Sequence, residues 1–148
     1  MRINRYTVKL VKEGSINYSL EEAVISPEIA RDIIEKVFDL SSSTVEKFGL
    51  ITLTTKNKIA GLHIIAIGGL NQSAIEAREV FQQALLNNAA SLILFHNHPS
   101  GEIQPSREDI LFTKKLNEAG QIIGVKVLDH IIIGEGGRYA SLKDKGLF

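Results

Sequence analysis

Residues 91–109 read SLILFHNHPSGEIQPSRED, and the rest of the chain is best read outward from them. Ser91 to Phe95 is a short apolar run that suits a central strand. His96 and His98 follow at its end, two residues apart. In extended backbone such residues face the same side, so both imidazoles can reach one metal ion. Pro99 and Gly101 then turn the chain away from the sheet. Ser106 and Asp109 have capping spacing, which predicts a helix ending at Gly120 with Asp109 in its first turn. Two neutral imidazoles and one carboxylate form the ligand set with which zinc keeps a fourth position for water. Each residue alone has a plainer reading. His-x-His is often a surface pair, Asp109 a helix-dipole acid and Ser106 an N-cap. Together, at the mouth of a buried strand, they predict a metal site.

Downstream, Ile122–Val127 and Ile131–Ile133 predict a second strand pair, broken near Asp129. Upstream, Ser73 and Glu76 again have capping spacing and predict a helix start at Ser73. Ile75, Val80, Phe81, Ala84 and Leu85 would bury that helix, and Asn87-Asn88 would end it. Glu46–Thr55 and Ile59–Ile67, joined at Lys56-Asn57-Lys58, predict a hairpin. Ser26-Pro27 reads as an N-cap and first-turn proline, opening a helix whose apolar face runs from Ile29 to Phe38. Tyr6, Val8 and Leu10 alternate with polar residues, a half-buried strand pattern. Strands and helices interleave, so the expected class is α/β, with α+β as the alternative, built on a mixed sheet with flanking helices.

The chain has 148 residues, which fits one domain over 1–148. Lys and Arg number 17, as do Asp and Glu, so the net charge is zero. A DNA-binding module would normally carry a basic excess, so this balance gives a nucleic-acid partner no support. The chain has no cysteine, which excludes a disulfide framework, a thiolate nucleophile and a cysteine-type zinc knuckle. No apolar h-region follows Met1 and no apolar run is long enough to span a membrane. A cytoplasmic protein without a membrane contact is expected.

The pattern His96-x-His98-Pro99-x-Gly101 with Ser106-x-x-Asp109 resembles the JAMM motif of MPN-domain metalloproteases. The fuller run His-Asn-His-Pro-Ser-Gly with Pro105-Ser106 is similar to the bacterial RadC branch, as are Leu128–Gly134 and Gly69-Leu70-Asn71. The resemblance covers roughly Ser26 to the C-terminus. It implies the layered, cytidine-deaminase-like MPN fold and a zinc ion held by His96, His98 and Asp109. It also implies that Ser106 supports the oxyanion and that an upstream glutamate is the general base. Glu46, in Glu46-Lys47-Phe48-Gly49-Leu50, fits the family's place for that glutamate, whereas Glu102 and Glu108 do not match its spacing.

Two departures stand out. RadC-like chains commonly begin with a helix-hairpin-helix segment, which is not expected here. Ile75-Glu76-Ala77-Arg78-Glu79 replaces a stretch that usually contains His-Pro. Among the other histidines, His63 is expected to be packed or exposed, and His130 to hydrogen-bond rather than ligate. Ser100 lacks the G-x-S-x-G elbow of a nucleophile. The function implied is a zinc-dependent hydrolase, a metallopeptidase or isopeptidase that cleaves an amide of a protein or peptide substrate by a metal-activated water. The alternatives are a non-catalytic interaction module in DNA repair or recombination, or a metal-dependent DNA-acting enzyme. Oligomeric state is not encoded in these motifs.

Overall fold

A computed structural model describes residues 1, 3–17, 23–24, 26–68 and 75–148. Five strands form one mixed sheet in the order β2-β1-β3-β4-β5. β1 (Lys47–Leu53) and β2 (Ile59–Ile67) are the expected hairpin, with Asn57 taking the left-handed turn conformation at φ 55°. β3 (Ser91–Asn97) lies between antiparallel β1 and parallel β4 (Lys126–Ile133), and β5 (Tyr139–Ser141) closes the far edge. This is the mixed α/β architecture expected from the sequence, a layered sheet with helices on both faces.

β3 is buried along its whole length and apolar from Leu92 to Phe95 because both its faces are covered, as a strand with a parallel neighbour requires. Leu92 and Leu94 pack with Val80, Phe81 and Ala84 of α2 (Ala77–Leu86) and with Phe112 and Leu116 of α3 (Arg107–Ile123). Ile93 and Phe95 point the other way, onto Ala30, Ile33 and Ile34 of α1 (Pro27–Phe38). Each fully buried Leu, Ile or Phe contributes about 1.5–3 kcal/mol, so these two interfaces hold the sheet end where the histidines emerge. Gly49 lets β1 sit this close. A Cβ there would collide with the His63 carbonyl and the Phe95 ring.

α1 begins as expected, with the Ser26 side chain accepting from the Ile29 N–H and Pro27 in the first turn. α2 begins later than expected. Its N-cap is Glu76, which exchanges capping bonds with Glu79, while Ser73 and Gly69-Leu70-Asn71 lie outside the described residues. Leu85 is exposed, so the apolar face is narrower than its pattern suggested.

Three further expectations are corrected. α3 runs through Gly120 to Ile123 and ends at Gly124, whose φ of 86° is the left-handed conformation that favours glycine. Gly120 serves close packing instead, since a Cβ there would collide with the Val125 carbonyl. The second strand pair is one strand, β4, because Asp129 does not break it. Its carboxylate accepts from Ser141 Oγ at 2.6 Å, the His130 N–H at 2.7 Å and the Lys143 N–H at 3.1 Å. A buried polar group satisfied in this way can stay in a strand. Lastly, residues 3–17 pair with no strand among the described residues, and Tyr6 and Val8 are exposed. Alternation favours a strand only where a ladder partner and a covered face exist.

Candidate metal centre

The end of β3 places the first histidine. His96 pairs with Phe48 of β1 and Ile132 of β4, and its side chain is fully buried on the α3 side of the sheet. The His98 N–H donates to the Ile133 carbonyl at 3.0 Å, which carries the β3–β4 ladder one step past the strand. Gly101 then turns at φ 83°, its N–H bonded to the His98 carbonyl at 2.9 Å. α3 supplies the carboxylate through a reciprocal cap. The Asp109 N–H donates to Ser106 Oγ at 3.0 Å, and the Ser106 N–H donates to Asp109 Oδ2 at 2.7 Å. The cap therefore fixes the helix start and the carboxylate orientation together.

His96, His98 and Asp109 are the group of metal-capable side chains found among the described residues, with donor atoms within 4.8 Å of one another. The two Nε2 atoms lie 2.9 Å apart. Asp109 Oδ1 is 3.3 Å from His96 Nε2, and Oδ2 is 3.5 Å from His98 Nε2. The donor chemistry fits a metal ion. His98 Nδ1 lies 2.9 Å from the Glu102 carbonyl, which can only accept, so Nδ1 carries the proton and Nε2 can keep its lone pair. A nitrogen–nitrogen–oxygen set of this kind suits zinc.

Burial pushes the His96 pKa down to about 4, against the pull of Asp109. His98 moves up, chiefly through its hydrogen bond to Asp109. Burial alone would raise Asp109, but its hydrogen bond to His98, the electrostatic pull of His96 and the Ser106 cap hold it well below the usual carboxylate range. Glu46 lies just before β1 and is half-buried. Burial raises its pKa, with His98 opposing and Asp109 adding to the shift. Its carboxylate thus shares a field with two of the three donors. Glu102 and Glu108 are exposed.

The sequence reading missed Asn97, which sits between the two histidines. Its Oδ1 accepts from the Lys47 N–H at 2.8 Å and its Nδ2 donates to the Val45 carbonyl at 3.0 Å. It therefore clamps the chain on both sides of Glu46. The strand alternation that puts His96 and His98 on one face puts Asn97 on the other, a signal that was available. Thr113 was also missed, although it lies one helical turn after Asp109 on the same face. His130 has the hydrogen-bonding place expected of it, its Nε2 2.7 Å from His96 Nδ1. His63 lies on β2, away from these donors, with Thr52 and Asn87.

These features define a class: a mixed α/β domain with a two-histidine, one-carboxylate cluster consistent with a JAMM-type metal site. The family model for the RadC-like JAB domain matches residues 24–147, and the chain belongs to that family. A UPF0758 protein of Methanosarcina barkeri is 55% identical over 101 residues, which are 68% of this chain and 44% of the relative. One from Caldanaerobacter subterraneus is 50% identical over 127 residues, covering 85% of this chain and 53% of the relative. One from Listeria monocytogenes is 46% identical over 142 residues, covering 95% and 62%. The chain thus spans about half the length of the curated relatives it matches. No helix among the described residues is long and apolar enough to cross a membrane.

Proposed function

We propose that this domain is a zinc-dependent hydrolase that cleaves an amide bond in a protein or peptide substrate. His96, His98 and Asp109 would hold the ion through Nε2, Nε2 and the carboxylate. Zinc bound there would supply Lewis acidity and lower the pKa of a bound water to about 7. Glu46 takes the proton from the attacking water and passes it to the leaving amine. Ser106 uses an oxygen lone pair for its cap, so its hydroxyl proton is free to donate to the developing oxyanion. Asn97 holds the chain around Glu46 so that the carboxylate keeps its aim.

The observation that carries the reading is the donor cluster itself, with the ligating atoms of His96, His98 and Asp109 all within 4.8 Å of one another. The choice of an amide substrate rests on the family resemblance. The test is an unbiased peptide library incubated with zinc-loaded protein and analysed by mass spectrometry, with chelator and Glu46→Gln arms. Cleavage should vanish with chelator and fall about 10²–10⁴-fold in Glu46→Gln while zinc content stays normal. Undiminished cleavage in that variant would remove Glu46 from the mechanism.

A further inference from the structure

Behind the metal donors lies a chain of buried polar atoms that the reaction above does not use. Thr113 Oγ1 is 2.6 Å from the Asp109 carbonyl and 2.6 Å from His130 Nδ1. His130 Nε2 is in turn 2.7 Å from His96 Nδ1. Thr113, His130 and His96 are all fully buried, so water cannot substitute for any of these partners.

The proton positions follow from one fixed point. A backbone carbonyl only accepts, so the Thr113 hydroxyl spends its single proton on the Asp109 carbonyl. Thr113 Oγ1 can then only accept from His130, which puts the proton on His130 Nδ1. A neutral imidazole donates through one nitrogen and accepts through the other, so with the proton on Nδ1 the His130 Nε2 accepts from His96 Nδ1–H. With its Nδ1 proton given to His130, His96 presents Nε2 as its lone-pair nitrogen, facing His98 and Asp109.

We propose that Thr113 and His130 are positioning residues that lock His96 in the tautomer whose Nε2 lone pair points at the metal position. The relay begins at the backbone of Asp109 and ends beside that residue's own carboxylate. It therefore ties the helix turn carrying one donor to the ring orientation of another. The orienting acceptor is a neutral imidazole, so the alignment is achieved without adding a negative charge. A partner that fixes the tautomer of a ligating histidine is typically worth 10–100-fold in metal affinity.

The inference rests on the metal-site reading, and its test separates the two. Zinc affinity is measured by competition with a chromophoric chelator, and imidazole tautomers by long-range ¹H–¹⁵N NMR on metal-free protein. His130→Leu removes the acceptor, Thr113→Val removes the hydroxyl at constant shape, and His130→Gln restores an acceptor toward His96. Wild type and His130→Gln should show the Nδ1–H tautomer at His96. Thr113→Val and His130→Leu should show the Nε2–H form gaining population, with zinc affinity about 10–100-fold weaker in His130→Leu. Thr113→Val keeps the test alive if His130→Leu does not fold. An unchanged His96 tautomer in the variants that fold overturns the relay, whatever happens to affinity. A wild type that binds no zinc overturns the metal site alone, because the tautomer is still read without metal.

Discussion

Among the described residues, histidine sits in two polar clusters, and one of them gathers side chains that could hold a metal ion. At the end of β3, the Nε2 atoms of His96 and His98 face each other and a carboxylate. Between β1, β2 and the end of α2, His63 Nε2 lies 3.3 Å from Asn87 Nδ2 and 3.3 Å from Thr52 Oγ1. Asn87 Nδ2 donates to Thr52 Oγ1 at 2.6 Å, and Thr52 donates onward to the Gly61 carbonyl at 3.1 Å. The second proton of the Asn87 amide is therefore available to His63. The same ring atom faces acceptors in one cluster and a donor in the other. What distinguishes a metal site from a satisfied polar cluster is this sign, not the presence of histidine.

The largest expected effect separates the clusters by ligand linkage. Zinc at about a hundredfold over its dissociation constant should stabilise the wild type by about 2.7 kcal/mol, read as a rise in Tm. His96→Ala should abolish that rise and His63→Ala should leave it intact. Zinc stabilisation that survives His96→Ala, or disappears in His63→Ala, would erase the contrast.

A substitution can also reverse the sign within the second cluster. Asn87→Asp replaces the amide donor with an acceptor and leaves Thr52 and His63 without it. Denaturant unfolding at pH 8 should show a loss of about 1–3 kcal/mol, the cost of an unsatisfied partly buried group. His63 should become more basic in an NMR titration. Unchanged stability would mean that the amide is not what satisfies His63.

In the first cluster, Ser106→Ala removes a cap that has no counterpart in the second. Urea unfolding of metal-free protein should show a loss of about 0.5–2 kcal/mol. A loss that zinc fully reverses would assign the effect to carboxylate orientation rather than to the helix start.

The smallest effect is acid sensitivity at His63. Burial lowers its pKa in the folded state, so the unfolded chain takes up the proton first as pH falls. Its contribution is fully present above the unfolded value of about 6.5 and declines as pH falls through the folded one. Thermal melts of wild type and His63→Gln from pH 8 to pH 5 should differ in slope, with the wild type steeper. Parallel curves would show that His63 titrates alike in both states.

The legible parts of this fold and site were those written locally. His96, His98, Ser106 and Asp109 lie on one strand end, one turn and one helix start, so spacing alone brought their positions together. Glu46 was singled out through family resemblance only, because no local spacing ties a residue before β1 to the end of β3, and its role is a proposal. Asn97 and Thr113 looked ordinary because their partners, Val45, Lys47 and His130, are distant in sequence. Asp129 and Gly120 misled for a related reason. A polar residue in an apolar run and a glycine in a helix both suggest a break, until tertiary contacts satisfy the one and require the other. The alternation from Tyr6 to Leu10 misled the opposite way, as a pattern without a partner strand.

The Asn97 clamp has a mechanical consequence. Val45 and Lys47 are pinned to the residue between the two histidines, so the backbone entering β1 is fastened to the end of β3 that carries His96 and His98. Asp109 alone belongs to a different body, the start of α3. The spacing between the two histidines and Asp109 therefore depends on how α3 packs against the sheet. The seating of one helix on the sheet sets the aperture of the whole centre.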